Sequence, residues 1–206
     1  MVIEQKEESK SSQSNHWISQ REKILNAAMM LFYEKGFDGA SIQDIAYASE
    51  VNKATIYYYF ENKQALLYEI ASNTLDILIN MAQKVMNSGL SPQNKLKRLI
   101  FDNAIWVINH PRNATTTLLE SRNLSPKLAM DIVNKRDYYR GMFCKLLEEL
   151  MPKDNSRYIG SEIATHFVFG LLHSLPYWCK SDGELSAREV ASMVHTFISS
   201  ALCIPK

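Results

Sequence analysis

Residues 41–67 read SIQDIAYASEVNKATIYYYFENKQALL, and the fold turns on them. Ser41 stands three residues before Asp44, the spacing at which a hydroxyl and a carboxylate satisfy free backbone N–H groups at a helix start. That pattern predicts a short helix carrying Ile42, Ile45 and Ala46. Ser49-Glu50-Val51 interrupts it, and Asn52 is placed to cap a second short helix whose inward residues, Ile56 and Phe60, are four apart. Asn62 caps a third helix that runs to about Ser88-Gly89. The first two span about eight residues each, too short to be stable alone. Ile45, Ala46, Val51, Ile56 and Phe60 must therefore close a small core with the helix before them, whose stripe is Ile24, Ala28, Leu31 and Phe32. Gly36 sits just past the end of that stripe, where a left-handed residue can cap it.

The second short helix then turns Lys53, Thr55, Tyr57, Tyr58 and Tyr59 outward. Those side chains are donors suited to phosphates and base edges, and a helix N-terminus adds free N–H groups and a positive dipole end. The three tyrosines are equally able to form a core aromatic cluster, and Lys63 is equally able to stand solvated at a helix start. Charge alone does not decide it. Residues 1–70 hold seven Lys/Arg against ten Asp/Glu, a net of −3, while residues 71–206 carry +4 within a total of +1. Any nucleic-acid contact must rest on placement rather than on a basic surface.

Working outward, residues 1–15 are polar and aperiodic and read as a disordered arm. Beyond residue 90 the spacing stays helical. Ser91-Pro92 and Ser125-Pro126 each pair a cap with proline at the first helical position. Pro111 ends one helix, a further one is expected from about Arg157 to Cys179 with a break or kink at Pro176, and Ser186 caps the last. No segment alternates with period two, so the chain reads as all-α with about nine helices. The divisions are an arm over 1–15, a small helical head over 16–62, a connecting helix over 63–89 and a helical domain over 90–206.

Composition agrees. Apolar residues are 46% and charged residues 22% of 206, ordinary for a globular chain, and seven glycines disfavour glycine-looped nucleotide binders. No apolar run nears the roughly 18 residues of a membrane span, and the start lacks the apolar stretch of a leader. Cys144, Cys179 and Cys203 are scattered, so neither a disulfide framework nor a CxxC site is written, and a reducing cytoplasm is expected. Hydrolase, Walker, zincin and dinucleotide motifs are absent, so no catalytic residue, cofactor or metal is expected. His166 and His173, seven apart, lack a third ligand.

With those residues in view, the stretch resembles the helix-turn-helix of the tetracycline-repressor (TetR) family of bacterial transcription regulators. The family pattern, roughly hydrophobic-x-D-I-A-x-x-A-G-V-S-K-G-T-L/I-Y-x-x-F-x-x-K-x-x-L-L, is met by Ile42-Gln43-Asp44-Ile45-Ala46, Val51-Asn52-Lys53-Ala54-Thr55-Ile56-Tyr57-Tyr58-Tyr59-Phe60, Lys63 and Leu66-Leu67. The approach Ala28-Leu31-Phe32-Lys35-Gly36-Phe37 extends the match to some forty-five residues. Glu50 departs from it by replacing the usual turn glycine, and Asn52 replaces the usual serine cap with an equivalent one. The resemblance implies that Tyr57 and Lys63 touch phosphate, and that Gln43, Lys53, Ala54, Thr55 and Tyr59, beside Tyr58, face the major groove or its walls.

It also implies a homodimer closed by the last two helices, a double-stranded DNA operator with two-fold symmetry and a small hydrophobic effector. On the penultimate helix, Gly160, Ala164, Gly170 and Ser174 would allow close approach beside Ile163, Phe167 and Leu171, unless that face is simply internal core. Aromatic and polar candidates for the effector pocket are Phe101, Trp106, His110, Tyr138, Phe143, His166, His173 and Trp178. The ending Trp178-Cys179-Lys180-Ser181-Asp182-Gly183-Glu184-Leu185-Ser186 resembles the tail of a branch that includes acyl-CoA-responsive regulators, making an acyl-CoA one candidate effector. Two other classes stay open at this point: a helical-bundle carrier or enzyme, and an accessory protein with a degenerate helix-turn-helix.

Overall fold

The structure, a computed structural model, describes the backbone of residues 2–151, 159–179 and 183–204, and side chains from residue 19 onward within those ranges. The expected arm over 1–15 therefore falls outside the described side chains. Among the described residues nine α-helices follow in order: α1 (Val2–Gly39), α2 (Ile42–Ala48), α3 (Lys53–Tyr59), α4 (Lys63–Met86), α5 (Pro92–Asn109), α6 (Pro111–Glu120), α7 (Pro126–Leu150), α8 (Ser161–Trp178) and α9 (Ala187–Ala201). A 3-10 turn at Ser121–Asn123 links α6 to α7, and no strand occurs among the described residues.

The starts follow their caps. Ser41 Oγ accepts from Asp44 N while the Asp44 carboxylate accepts from Ser41 N, and Ser186 with Glu189 repeats the arrangement at α9. Asn52 accepts from Thr55 N, and Asn62 from Ala65 N. Ser125 departs from the pattern: its side chain makes no cap, and its N–H instead donates to Gln64 Oε1 at 3.0 Å. The start of α8 departs too. Gly160 precedes the helix with φ +75°, so its work is in the turn and not in close helix approach, while residues 152–158 before it lie outside those described. Pro176 is accommodated in the last turn of α8, where Cys179 N still donates to Leu175 O at 2.9 Å.

Two apolar cores result. The head core joins Ile24, Ala28 and Phe32 of α1 to Ile45, Ile56 and Phe60, then to Leu66, Leu67, Ile70, Ala71 and Leu75 of α4. The body core gathers Leu78, Ala82 and Val85 of α4 with the inward faces of α5, α7, α8 and α9. Thus α4 belongs to both, passing from one core to the other between Leu75 and Leu78. Ile132 of α7 packs with the head rather than the body.

At Gly36, α1 is interrupted by a residue at φ 72°, ψ 167°, a region open to glycine because it lacks a Cβ. Such a break strands backbone groups that must find partners. Phe37 N donates to the Glu120 carboxylate at 3.0 Å, and Lys63 Nζ donates to Phe37 O at 2.7 Å and Ala40 O at 3.0 Å. Two charged side chains from α6 and α4 therefore close the corner where α1 hands over to α2.

Candidate functional site

The pair α2 and α3, seven residues each, buries Ile45, Ala46 and Ile56 and leaves the rest of its surface outward. Between them runs a tight reversal. Glu50 N donates to Tyr47 O and Val51 N to Ala46 O, the paired bonds of a Schellman turn, with Glu50 left-handed at φ 56°. Val51 packs onto the head core beneath the turn. The departure from glycine at this position is thus absorbed without opening the reversal.

Of the residues expected to meet DNA, Gln43, Lys53, Ala54, Tyr57 and Tyr58 are exposed. Tyr57 at 54% and Tyr58 at 72% are too open to be core aromatics. Three others sit differently. Thr55 is half-buried, its hydroxyl spent on Asn52 Oδ1 at 3.0 Å. Tyr59, one step and 100° beyond Tyr58, turns toward α1 and donates its hydroxyl to Gln20 at 3.2 Å. Lys63 faces the α1 corner, its ammonium 4.2 Å from the centre of the Phe37 ring. Tyr47 escaped the sequence reading although it is 87% exposed. Its position four residues after Gln43 places both on one face of α2, a spacing that was available to be read. Arg21 from α1 pairs with Glu69 and lies 5.1 Å over the Phe60 ring, so it supports the head from behind.

A second candidate site lies at the seam of the two cores. A cavity of about 60 Å³ is walled by Thr74, Leu75 and Leu78 of α4, Asn103 and Val107 of α5, Ala114, Thr117 and Leu118 of α6, Ile132, Arg136 and Tyr139 of α7, and Phe169 and His173 of α8. Three of its polar atoms, Thr74 Oγ1, Asn103 Oδ1 and Thr117 Oγ1, are buried and lack a hydrogen-bond partner. Asn103 Nδ2 donates to Tyr139 Oη at 2.7 Å. Burial pushes the Tyr139 phenol far up, so it stays protonated. Burial, then the charge of Arg136, lowers His173, so its ring is neutral at pH 7. A larger groove of about 620 Å³ runs between α5 and α9 past Lys97, His195 and Cys203, but no unpartnered buried polar atom faces it among the described residues.

Of the eight expected pocket residues, only His173 lines the cavity. Phe143 is fully buried behind the wall, its ring 5.4 Å from Tyr139 and 4.9 Å from Phe169. Trp106 is buried and stacks on His110 at 4.7 Å, and Phe101 is half-buried against the body core. Tyr138 points outward, where its hydroxyl accepts from Gln83, while its neighbour Tyr139 points in. His166 is exposed beside Arg140, and Trp178 is exposed with its N–H donated to Ser174. Asn103, Tyr139, Phe169, Thr74 and Thr117 were not foreseen. The signal for two of them was a polar side chain at an inward helical position, Thr74 and Asn103.

One face of α8 and α9 is apolar and uncovered. Ile163, Phe167 and Trp178 on α8 and Met193 and Phe197 on α9 are more than half exposed, and Gly170 lies on the same side. Leu171 and Ser174 are half-buried at its edge, Ser174 Oγ being held by Leu171 O and Trp178 Nε1. No helix among the described residues is long and apolar enough to cross a membrane.

The chain is similar in sequence and fold to known proteins. The HTH-type transcriptional repressor KstR2 of Mycolicibacterium smegmatis is 26% identical over 179 residues, 84% of this chain and 85% of that protein. The TetR-family regulator PfmR from Thermus thermophilus is 28% identical with a TM-score of 0.75, over 89% of this chain and 98% of that one. AibR, solved in complex with isovaleryl coenzyme A and operator DNA, has the same fold at 20% identity and a TM-score of 0.78, over 90% and 100% of the two chains. Residues 24–70 match the family described as bacterial regulatory proteins, tetR family, and residues 89–202 match a tetracyclin repressor-like C-terminal domain. The head with its capped reading helix and the all-helical body therefore make one assignment, and the chain belongs to the tetR family of DNA-binding bacterial regulators, which are not enzymes.

Proposed function

We propose that the protein is a homodimeric repressor that binds a palindromic operator and is released by a small, largely hydrophobic effector seated in the seam cavity. The observation that carries the DNA reading is the exposed set Gln43, Tyr47, Lys53, Ala54, Tyr57 and Tyr58 on a helix pair whose other faces are buried. Lys53 and Tyr57 would anchor phosphates, while Gln43 and Tyr47 reach base edges or groove walls. The uncovered apolar face of α8 and α9 is larger than isolated surface side chains account for, and a second copy would bury it. Two heads related by a two-fold axis would read half-sites about 34–36 Å apart, or multiples of that. Relatives named as transcriptional repressors support the direction of control.

Selection of bound fragments from random DNA tests the reading. A two-fold-symmetric consensus is expected, shifted within each half-site by Gln43→Ala. Tyr57→Phe should weaken all sequences alike. Failure to enrich any sequence would refute it.

A further inference from the structure

Resting on the effector reading above, we infer that the effector is an aliphatic acid that also bears a hydroxyl group, the hydroxyl seated between Asn103 and Thr74 and the acid end facing Arg136.

The inner end of the cavity sets the first requirement. Asn103 and Thr74 line the space, are 3% and 2% exposed, and each holds an unpartnered oxygen. Leaving such groups unpaired is costly, so an occupant that completes them is favoured over one that does not. Asn103 uses its amide N–H on Tyr139, which leaves the carbonyl oxygen asking for a donor. Rotating the amide would instead leave its NH₂ group asking for an acceptor. A hydroxyl is both at once and satisfies either rotation, whereas an alkyl end satisfies neither and a ketone only one. Thr74 has the same dual character.

The outer end sets the second. Arg136 is the one permanently charged residue lining the cavity among the described residues, and no carboxylate joins it there. A cationic ligand would find repulsion and no partner; an anionic group finds a guanidinium that can take it through two parallel bonds. Between the ends the walls are Leu75, Leu78, Val107 and Phe169, which fit methylenes. The 60 Å³ present is small beside the about 300–1,000 Å³ usual for ligand pockets, so the body of such a ligand enters only as the helices part.

Matched probes decide it: hexanoate against 6-hydroxyhexanoate and octanoate against 8-hydroxyoctanoate, titrated calorimetrically into the full chain. The hydroxylated member is expected to bind about tenfold or more tightly within each pair. In Asn103→Leu that preference should fall to about twofold or reverse, and Arg136→Gln should weaken both members about equally. Thr74→Val serves as the second variant where Asn103→Leu fails to fold, with the preference again reduced. Equal binding within the pairs, as expected where a trapped water alone serves Asn103 and Thr74, would overturn the inference. So would a preference that survives both variants, or no binding by any probe. Operator release by an unhydroxylated ligand would leave the regulator reading standing while the inference falls; absence of sequence-selective DNA binding would strike the regulator reading itself.

Discussion

Glu50 occupies the left-handed position of the turn between α2 and α3, at φ 56°, and replacing it with glycine should stabilise the protein. An L-residue there carries about 1–2 kcal/mol of crowding between its Cβ and the following carbonyl. Glycine removes that strain but gives the unfolded chain more freedom, offsetting about 0.5–1 kcal/mol. The net gain is about 0.5–1 kcal/mol, or about 1–3 °C in Tm for a chain of this size. Both turn bonds, Glu50 N to Tyr47 O and Val51 N to Ala46 O, are backbone bonds and persist in the variant. Glu50 also carries a negative charge beside the proposed DNA face, so conformation and charge must be separated. Glu50→Gln removes the charge and keeps the strain; Glu50→Asn keeps a side chain that tolerates the left-handed region better. Thermal unfolding at fixed protein concentration, without DNA, should rank glycine above asparagine, and asparagine above glutamine and wild type. All three uncharged variants should tighten non-specific DNA binding to a similar degree. A glutamine variant as stable as the glycine one would show charge rather than backbone strain at work. No gain from glycine would mean that the turn is not strained.

Lys63→Met should cost about 1–3 kcal/mol in urea unfolding, because Phe37 O and Ala40 O lose their donor, while the salt slope of DNA binding changes little. Lys53→Ala should do the opposite, leaving stability alone and flattening that slope by about 0.9 per protomer. Phe167→Glu or Phe197→Glu should convert a dimer into monomer in sedimentation at micromolar concentration, and a monomeric wild type would remove the dimer from the proposal. His173, lowered by burial, resists a proton that the unfolded chain accepts, so stability should fall as the pH drops below about 6.5; His173→Gln should flatten that part of the profile, leaving the same-signed share of His195.

What the sequence made legible is what local chemistry decides. Ser41 with Asp44, Asn52, Asn62 and Ser186 each announce a helix start because a cap is satisfied within three residues. The head core follows from the same short spacings, which is why Ile45, Ile56 and Phe60 were placed inward correctly. The cavity is another matter. Its walls come from five helices, and whether Tyr138 or Tyr139 faces it depends on the rotation of α7, a difference of one residue that composition does not reveal. Lys63 shows the same limit. Its ammonium turns inward because a break at Gly36, twenty-seven residues earlier, leaves carbonyls to be served. Such demands are created by the assembled fold and have no local signature.

The position of the cavity gives the proposed control its physical form. Leu75 and Ile132 belong to the head core and Leu78, Val107, Tyr139 and Phe169 to the body core, yet all wall one space. An occupant of ligand size in this space of about 60 Å³ would part α4 from its neighbours near Thr74. On the α7 side that is resisted: Lys135 Nζ donates to Ser72 and to both Asp76 oxygens, and Tyr68 donates to Asp131 at 2.9 Å. On the α5 side the α4 residues at the cavity make no such tie, and Thr74 Oγ1 and Asn103 Oδ1 stand unpartnered. The α6 wall, at Thr117, lies one turn before Glu120, which holds Phe37 at the head's corner. The 24 residues of α4 form a rod about 36 Å long, so a tilt at Thr74 is carried about 16 Å down to Lys63 and the same corner. A displacement at the seam would therefore reach the head along two elements, α4 and α6. The effector shifts DNA affinity only by as much as it prefers the parted arrangement, and bound DNA must weaken the effector by that same factor.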